Sequence, residues 1–453
     1  METNSGAKTH TNEESSIKAE PHFVSVDSIE EAKPTTSKFD TKSVKSDDAD
    51  MRFPRTPSFS DRCKSYVFSD KDELSNTTYL HSYLVKGKMF IVPKRYKITQ
   101  TLGQGSYGIV CKALNTETRE QVAIKKILNP FKFPESILRI LREVRLLKFL
   151  NHENIIQIRD LSPAVSMKSI ESIYVTTDYM PSDLMQIIHS SNPLAEEQIV
   201  FILFQILSAL KYLHSANILH RDLKPSNILI NEDCEVKLCD FGLARAIDES
   251  EKNNTDLTIY VTTRIYRAPE LLFLIGNYTQ AIDVWSVGCI FAEMLIRRPL
   301  FACPDHMKIA QKIYDLVGSI EEIKGSDFES RMSYFQSFEK KKDPNQSFDN
   351  IFGAFSDTAK DLLSKMLVLD PSKRITIDDA LNHPYFEDYK EEIEELENCE
   401  KNSDSTKLKQ EIVREIFSFS KNIDEVTYKA TTAEYKALKK ASKVHHFISF
   451  AKK

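Results

Sequence analysis

His220-Arg221-Asp222-Leu223-Lys224-Pro225-Ser226-Asn227, followed shortly by Asp240-Phe241-Gly242, is the stretch around which the chain is organised. It places a carboxylate, a lysine, an amide and a second carboxylate within about one turn-and-strand unit. Phosphoryl transfer from a metal-bound nucleotide needs that set: a carboxylate at the nucleophile, oxygen ligands for the metal, and a cation for the phosphate in transit. Taken singly, each of these residues is an ordinary surface or paired charge. Their order and spacing are what set them apart.

The bulk numbers narrow the surroundings of such a site. The chain has 453 residues, 41% of them hydrophobic, enough for a sizeable core in two lobes or domains. A net charge of -5 supplies no basic field for nucleic acid. Seven cysteines, odd in number and scattered without zinc-site spacing, fit free thiols in a reducing compartment. The most apolar run, residues 199–213, contains Gln205, Ser208 and Lys211 and is too short to span a bilayer. It reads as a buried core helix. The first residues are polar, with no apolar signal-peptide run. A soluble intracellular protein is expected.

Upstream of the catalytic stretch the chain changes character. Residues 1–75 are rich in Ser, Thr, Glu, Asp and Lys and poor in periodic apolar residues, so a disordered arm is expected. Within it Pro54-Arg55-Thr56-Pro57 has the form of a proline-directed phosphorylation site, a pattern that also arises by chance in polar tails. From Tyr96 to Leu102 the residues alternate toward Gly103-Gln104-Gly105-Ser106-Tyr107-Gly108-Ile109-Val110, and Val122-Ala123-Ile124-Lys125 reads as a second strand. Glycines there let backbone amides lie close over phosphates. A Rossmann turn has a similar glycine pattern but opens a helix, whereas both flanks here read as strands of a hairpin.

Lys125 in an apolar strand needs a partner, since an unpaired buried charge is costly. Ile137, Ile140, Leu141, Val144 and Leu147 have helical spacing with Pro134 near the start, and Glu143 lies beside that stripe. A strand over residues 173–178 runs into Tyr179-Met180-Pro181-Ser182-Asp183, which reads as a hinge whose backbone would meet an adenine edge. Helices are expected over residues 182–189 and 196–215, and Val236-Lys237-Leu238-Cys239 as a strand into Asp240.

Together these stretches resemble the eukaryotic protein kinases. Lys224 after His-Arg-Asp-Leu is similar to the serine/threonine class. Further stretches resemble mitogen-activated protein (MAP) kinases of the extracellular-signal-regulated branch: Val85-Lys86-Gly87-Lys88-Met89-Phe90, Asn151-His152-Glu153-Asn154-Ile155-Ile156, and the run from Thr258-Ile259-Tyr260 to Arg267-Ala268-Pro269-Glu270. The likeness covers residues 86–419. It implies an α+β, bilobal kinase fold over 96–386, with a β-rich N-lobe (96–179) and a mainly helical C-lobe (180–386). An acidic docking segment and C-terminal extension (387–423) and a basic tail (424–453) would follow.

The resemblance also implies roles. Asp222 would accept the proton of a substrate hydroxyl and Lys224 would neutralise the γ-phosphate, while Asn227 and Asp240 would hold Mg2+. ATP would be bound by Leu102, Gly103, Gly105, Gly108, Val110, Lys125, Glu143, Asp178, Met180 and Asp183. Thr258 and Tyr260 would be the activation-loop phosphosites, with Arg142, Arg221 and Arg245 gathered on the first phosphate and Arg264 and Arg267 on the second. His220 would pack under the site without chemistry, Asp283 would brace the catalytic loop, and Arg374 would pair with Glu270.

Expected partners are an upstream dual-specificity MAP kinase kinase, and protein substrates and phosphatases with basic docking motifs, received at Glu391 and Glu394. Ser/Thr-Pro substrates and residence in cytoplasm and nucleus are implied as well. The chain departs from the family at Ile259, where Glu, Pro or Gly is usual, and at Ile265, where Trp is usual. A scaffold without catalysis would not need all of Lys125, Asp222, Asn227 and Asp240. A small-molecule kinase would lack the Ala268-Pro269-Glu270 segment.

Overall fold

The computed structural model describes residues 24–25, 80–105, 108–128, 134–163, 172–246, 264–272, 279–317 and 347–393. The chain divides into two compact units, Met1–Asn129 with Asp160–Thr176, and Pro130–Arg159 with Thr177–Lys453. The first is built on strands and the second mainly on helices.

In the first unit, strands β2 (Leu80–Val85) and β3 (Lys88–Pro93) form an antiparallel hairpin. Its turn is Lys86-Gly87, both at positive φ (46° and 71°), which matches the twist of the flanking strands. Alternation decides the faces: Tyr83, Val85, Phe90 and Val92 are buried while Leu84 and Met89 are exposed. A five-stranded sheet follows in the order β4-β5-β6-β8-β7, made from β4 (Tyr96–Gly105), β5 (Gly108–Asn115), β6 (Gln121–Leu128), β7 (Ile158–Pro163) and β8 (Ser172–Asp178). The hairpin and the sheet share one core of Tyr83, Val85, Phe90, Val92, Tyr96, Ile98, Ile109, Cys111, Ala113, Val122, Ile124 and Tyr174. Burial pushes the Cys111 thiol up to about 12, so it is a packing residue and not a nucleophile. The sequence reading began the domain at residue 96. The hairpin before it belongs to the same core.

One piece of the expected disordered arm carries backbone structure. Strand β1 (Val24–Ser25) pairs in parallel with β2, Val24 opposite Tyr83 and Ser25 opposite Leu84. The rest of residues 1–79 lies outside the described residues, as do the C-terminal extension and the basic tail.

The second unit begins with α1 (Pro134–Phe149), whose first residue is a proline that needs no N–H partner there. In the sequence reading this helix belonged to the smaller lobe. It groups instead with the larger unit, packing on the turn Phe241–Leu243. The helix expected over 182–189 is shorter: Ser182–Asp183 form strand β9 against β11 (Ile228–Ile230), and α2 spans Leu184–Ile188. Asp183 breaks the pattern because its Oδ1 accepts the Gln186 N–H at 3.0 Å as an N-cap.

Helix α3 (Glu196–Ser215) is long and apolar enough to cross a membrane, yet its apolar side chains are buried in the unit's core. It packs on α4 (Ala281–Ile296), which carries the fully buried Trp285. The acidic segment begins as a 3-10 stretch, Pro384–Tyr389, where Tyr389 stacks on Phe204 of α3 with ring centroids 4.8 Å apart.

The Asn151–Ile156 motif works as a bracket inside this unit. Asn154 donates to Gln205 Oε1 of α3 (2.9 Å) and to the Val236 carbonyl (3.1 Å), which begins β12 (Val236–Leu238). His152 caps the same turn, its Nδ1 accepting the Asn154 N–H at 3.1 Å. Burial, reinforced by the Lys237 ammonium, holds the His152 imidazole down to about 4 from an ordinary 6.5. Between those values the unfolded chain takes up a proton that the folded chain refuses, so stability falls as pH drops from about 6.5 to about 4. The cost approaches roughly 1.4 kcal/mol per pH unit. Urea unfolding at pH 7, 6 and 5 is expected to show His152→Gln losing less stability per unit than the parent; equal slopes would rule this origin out.

Candidate active site

The catalytic stretch follows β10 (Ile218–Leu219) and is held from below by one buried carboxylate. Asp283, on the first turn of α4 and fully buried, accepts the His220 N–H (2.9 Å) and the His214 Nε2–H (3.0 Å) on Oδ2, and the Arg221 N–H (2.9 Å) on Oδ1. Burial alone would raise the Asp283 carboxyl. The hydrogen bond and charge of His214, with the Arg221 backbone N–H, outweigh it and hold the group below its usual value. Arg221 sits in the left-handed region at φ 68°, a conformation that costs a non-glycine residue energy and persists when its surroundings fix it. Asp283 is that fixture.

His220 is fully buried against Phe241. Its Nδ1 accepts the Asp222 N–H (3.3 Å) and its Nε2–H donates to the Cys239 carbonyl (3.1 Å). Both ring nitrogens are therefore spent joining the catalytic loop to the strand before Asp240, and neither is left for proton transfer.

Above this base, the Asp222 Oδ2 accepts from Lys224 Nζ at 2.8 Å and from Asn227 Nδ2 at 3.1 Å. Asn227 also donates to the Asp222 carbonyl at 2.8 Å. The 3-10 turn Pro225–Asn227 brings the amide round. With its nitrogen committed to Asp222, the amide keeps its Oδ1 for another partner. Asp240 stands at φ 63° and ψ 66° as the cap of the turn Phe241–Leu243, and among the described residues its carboxylate makes no hydrogen bond. A Cβ on Gly242 would lie 3.3 Å from Asp240 Oδ1 and 3.5 Å from Arg139 Cβ, so glycine keeps the space beside that carboxylate open.

Two hard oxygen donors, Asn227 and Asp240, suit a cation that keeps most of its shell for water and phosphate oxygens. No group of three or more His, Cys, Asp or Glu able to hold a metal occurs among the described residues.

The arginines are arranged around the same turn. Arg142 of α1 donates to the Gly242 carbonyl (2.8 Å), Arg221 to the Leu243 carbonyl (3.4 Å), and Arg245 follows in β13 (Arg245–Ala246), paired with Leu219. Arg264 opens the 3-10 turn Arg264–Tyr266. Burial lowers the Arg267 guanidinium from its ordinary value; Asp222 opposes this, while the charges of Arg264 and Arg221 add to it. Arg221, Arg264, Arg267 and Asp222 thus share one electrostatic neighbourhood. Thr258 and Tyr260, with Ile259 and Thr263, lie outside the described residues.

Two anchors fix the segment that follows. Arg374 meets Glu270 in a buried bidentate pair, Nη1 to Oε1 at 2.8 Å and Nη2 to Oε2 at 3.2 Å. The second anchor was missed in the sequence. The Tyr266 hydroxyl donates to Glu293 Oε2 at 2.6 Å, and the Ser286 hydroxyl donates to the Tyr266 carbonyl at 2.9 Å. The available signal was that Asp283, Ser286 and Glu293 are the charged or hydroxyl residues of the otherwise apolar α4.

On the first unit, the glycine hairpin pairs Gly103 with Val110 and Gly105 with Gly108, and β6 sets Lys125 opposite Val110. Leu102 and Lys125 are half-buried there. Gly108, at φ 145°, admits no side chain: a Cβ would lie 1.9 Å from the Lys126 carbonyl oxygen. In the second unit Glu143 is half-buried on α1 and Met180 half-buried after β8. The side chains of Asp178 and Asp183 are otherwise engaged, Asp178 with Arg159 (2.5 Å) and Lys237 (3.6 Å), and Asp183 with Gln186. Of the docking pair, Glu391 is exposed and Glu394 lies outside the described residues.

Comparison with known proteins agrees with this constellation. The protein kinase domain family matches residues 96–386. Extracellular signal-regulated kinase 1 of Dictyostelium discoideum is 42% identical over 340 residues, 74% of this chain and 64% of that protein, so the chain spans less than two thirds of that relative's length. Mitogen-activated protein kinase 1 of Oryza sativa subsp. japonica is 47% identical over 304 residues, 67% of this chain and 75% of its own. Mitogen-activated protein kinase 6 of Arabidopsis thaliana is 47% identical over 306 residues, covering 67% and 76%. The chain is a serine/threonine protein kinase and belongs to the mitogen-activated protein kinases of the extracellular-signal-regulated branch.

Proposed function

We propose that the protein is an ATP- and Mg2+-dependent, proline-directed kinase of a MAP kinase cascade, switched on by phosphorylation of Thr258 and Tyr260. The observation that carries the catalytic part is the clamp on Asp222 Oδ2 by Lys224 and Asn227, which leaves Oδ1 for a substrate hydroxyl. Asp222 orients that hydroxyl and takes its proton as the oxygen attacks the γ-phosphorus, the bond from that phosphorus to the β–γ bridging oxygen breaks, and ADP leaves. Lys224 balances charge on the phosphate in transit. Asn227 Oδ1 and the Asp240 carboxylate would hold a magnesium ion, which would supply neutralisation of charge on the phosphates.

Each unit carries nucleotide roles of its own. In the first, Leu102, Gly103, Gly105, Gly108 and Val110 would cradle phosphates and Lys125 would hold phosphate oxygens. In the second, Glu143 would orient a phosphate-binding lysine, the backbone of Asp178 and Met180 would read adenine, and Asp183 would reach a ribose. Its N-cap bond to Gln186 means that Asp183 does so with a pre-set rotamer.

Activation follows from the arginines. Arg142 and Arg221 donate to carbonyls of one turn and Arg245 follows it in sequence, while the charges of Arg264 and Arg221 bear on Arg267 near Asp222. A phosphate on Thr258 brings nearly two negative charges to the first set and one on Tyr260 serves the second. Because the Arg221 backbone is pinned to Asp283, neutralising its side chain stabilises the loop that carries Asp222. Exposed Glu391 is assigned to basic docking motifs of substrates, phosphatases and an upstream MAP kinase kinase.

Asp222→Asn is expected to lower kcat by about 10²-fold or more with an unchanged melting temperature; near-normal turnover in a phosphate-transfer assay would refute the assignment. Mass spectrometry of the active protein should find both Thr258 and Tyr260 phosphorylated, and Thr258→Ala should lose most activity. A peptide library should show strong preference for proline after the acceptor; a flat profile would remove the proline-directed reading.

A further inference from the structure

We propose that Arg159 and Lys237 are positioning residues for base selection: they hold Asp178 by its carboxylate so that its backbone meets a purine only as a hydrogen-bond acceptor. This deepens the nucleotide reading above and rests on the backbone of Asp178 and Met180 being what reads the base.

The carboxylate comes first. Asp178 ends β8, and its side chain is only 11% exposed. A charge at that depth needs partners. Its Oδ1 accepts from Arg159 Nε, on the neighbouring strand β7, at 2.5 Å. Its Oδ2 accepts the Gln157 N–H at 3.3 Å and lies 3.6 Å from Lys237 Nζ. Both oxygens are engaged, and by two separate stretches of chain.

Those stretches are held to one another. Lys237 belongs to β12, and its ammonium also donates to the Glu153 carbonyl at 2.6 Å. The Leu238 N–H donates to the Asn154 carbonyl (2.8 Å) and the Ile156 N–H to the Leu238 carbonyl (3.0 Å). Gln157 reaches the Leu150 carbonyl with its side-chain amide at 3.2 Å. Turning Asp178 would therefore strip its carboxylate of cations that cannot follow it.

The consequence falls on the peptide. The Asp178 N–H is spent on the Gln157 carbonyl at 3.2 Å, so Asp178 has no backbone donor to offer a ligand. Its carbonyl accepts the Thr177 hydroxyl at 3.2 Å and carries a second lone pair. An amino group on a purine, as at C6 of adenine, can donate to that oxygen. An oxo group in the same place, as in guanine, would set acceptor against acceptor. That opposition rejects guanine only while the carbonyl cannot turn aside, and the hold on the carboxylate is what prevents the turn.

The test uses the active full chain with one peptide substrate and reads kcat and KM for ATP and for GTP. The parent is expected to prefer ATP. Arg159→Met, or Arg159→Gln should that variant not fold, is expected to raise the ATP KM about fivefold with kcat little changed. The ATP-to-GTP ratio of kcat/KM is expected to fall about tenfold. Lys237→Met is expected to move the ratio in the same direction, and Arg159→Lys to keep it near that of the parent. A parent without preference would overturn the base reading, and the proposal with it. A parent that prefers ATP, with the ratio unmoved in both Met variants or with ATP and GTP weakened equally, would overturn the positioning role alone.

Discussion

A single buried carboxylate bears the geometry of the active site. Asp283 is removed from water and accepts three N–H donors, two from the backbone of the catalytic loop and one from His214. An uncompensated charge at that depth would be expensive, so the three donors are a condition of its presence. They also define the loop: with the amides of His220 and Arg221 fixed, Arg221 is forced into left-handed backbone and Asp222 is delivered to Lys224 and Asn227.

Helix α4 extends the same logic. Its polar side chains all serve other segments: Asp283 holds the catalytic loop, while Ser286 and Glu293 hold Tyr266. Among the described residues Glu293 Oε1 has no hydrogen-bond partner, and burial raises its carboxyl, which accords with a group kept for one strong contact to the phenol. The catalytic turn and the segment containing Arg264 and Arg267 are thus indexed to one rigid rod. The buried Arg374–Glu270 pair ties the end of that segment to the same unit.

Much of this was legible in the sequence where chemistry restricts residue type. The carboxylate-lysine-amide order of Asp222, Lys224 and Asn227 and the glycines of the hairpin were readable from the residues, whereas the places of Asp283 and His220 and the Arg374–Glu270 pair came only through the resemblance to protein kinases. Less was readable where contacts depend on tertiary geometry. Val85–Phe90 carried part of the resemblance, but the hairpin Leu80–Pro93 around it was not read as strands and the domain was begun at residue 96. Asp183 was read as part of a helix because its capping role depends on the backbone bending there. The Tyr266–Glu293 contact joins residues whose spacing carries no periodic signal.

Fixing these segments from within has a consequence for how such a chain diverges. Tyr266 is clamped through its hydroxyl and its carbonyl, and Glu270 through Arg374, whereas Ile265 between Arg264 and Tyr266 is bound by none of these contacts. Its departure from the family's usual tryptophan falls at a position the internal scaffold does not specify. A change of side chain at residue 265 therefore leaves in place the contacts of Tyr266, Glu270 and Asp283 that fix this segment and the catalytic loop.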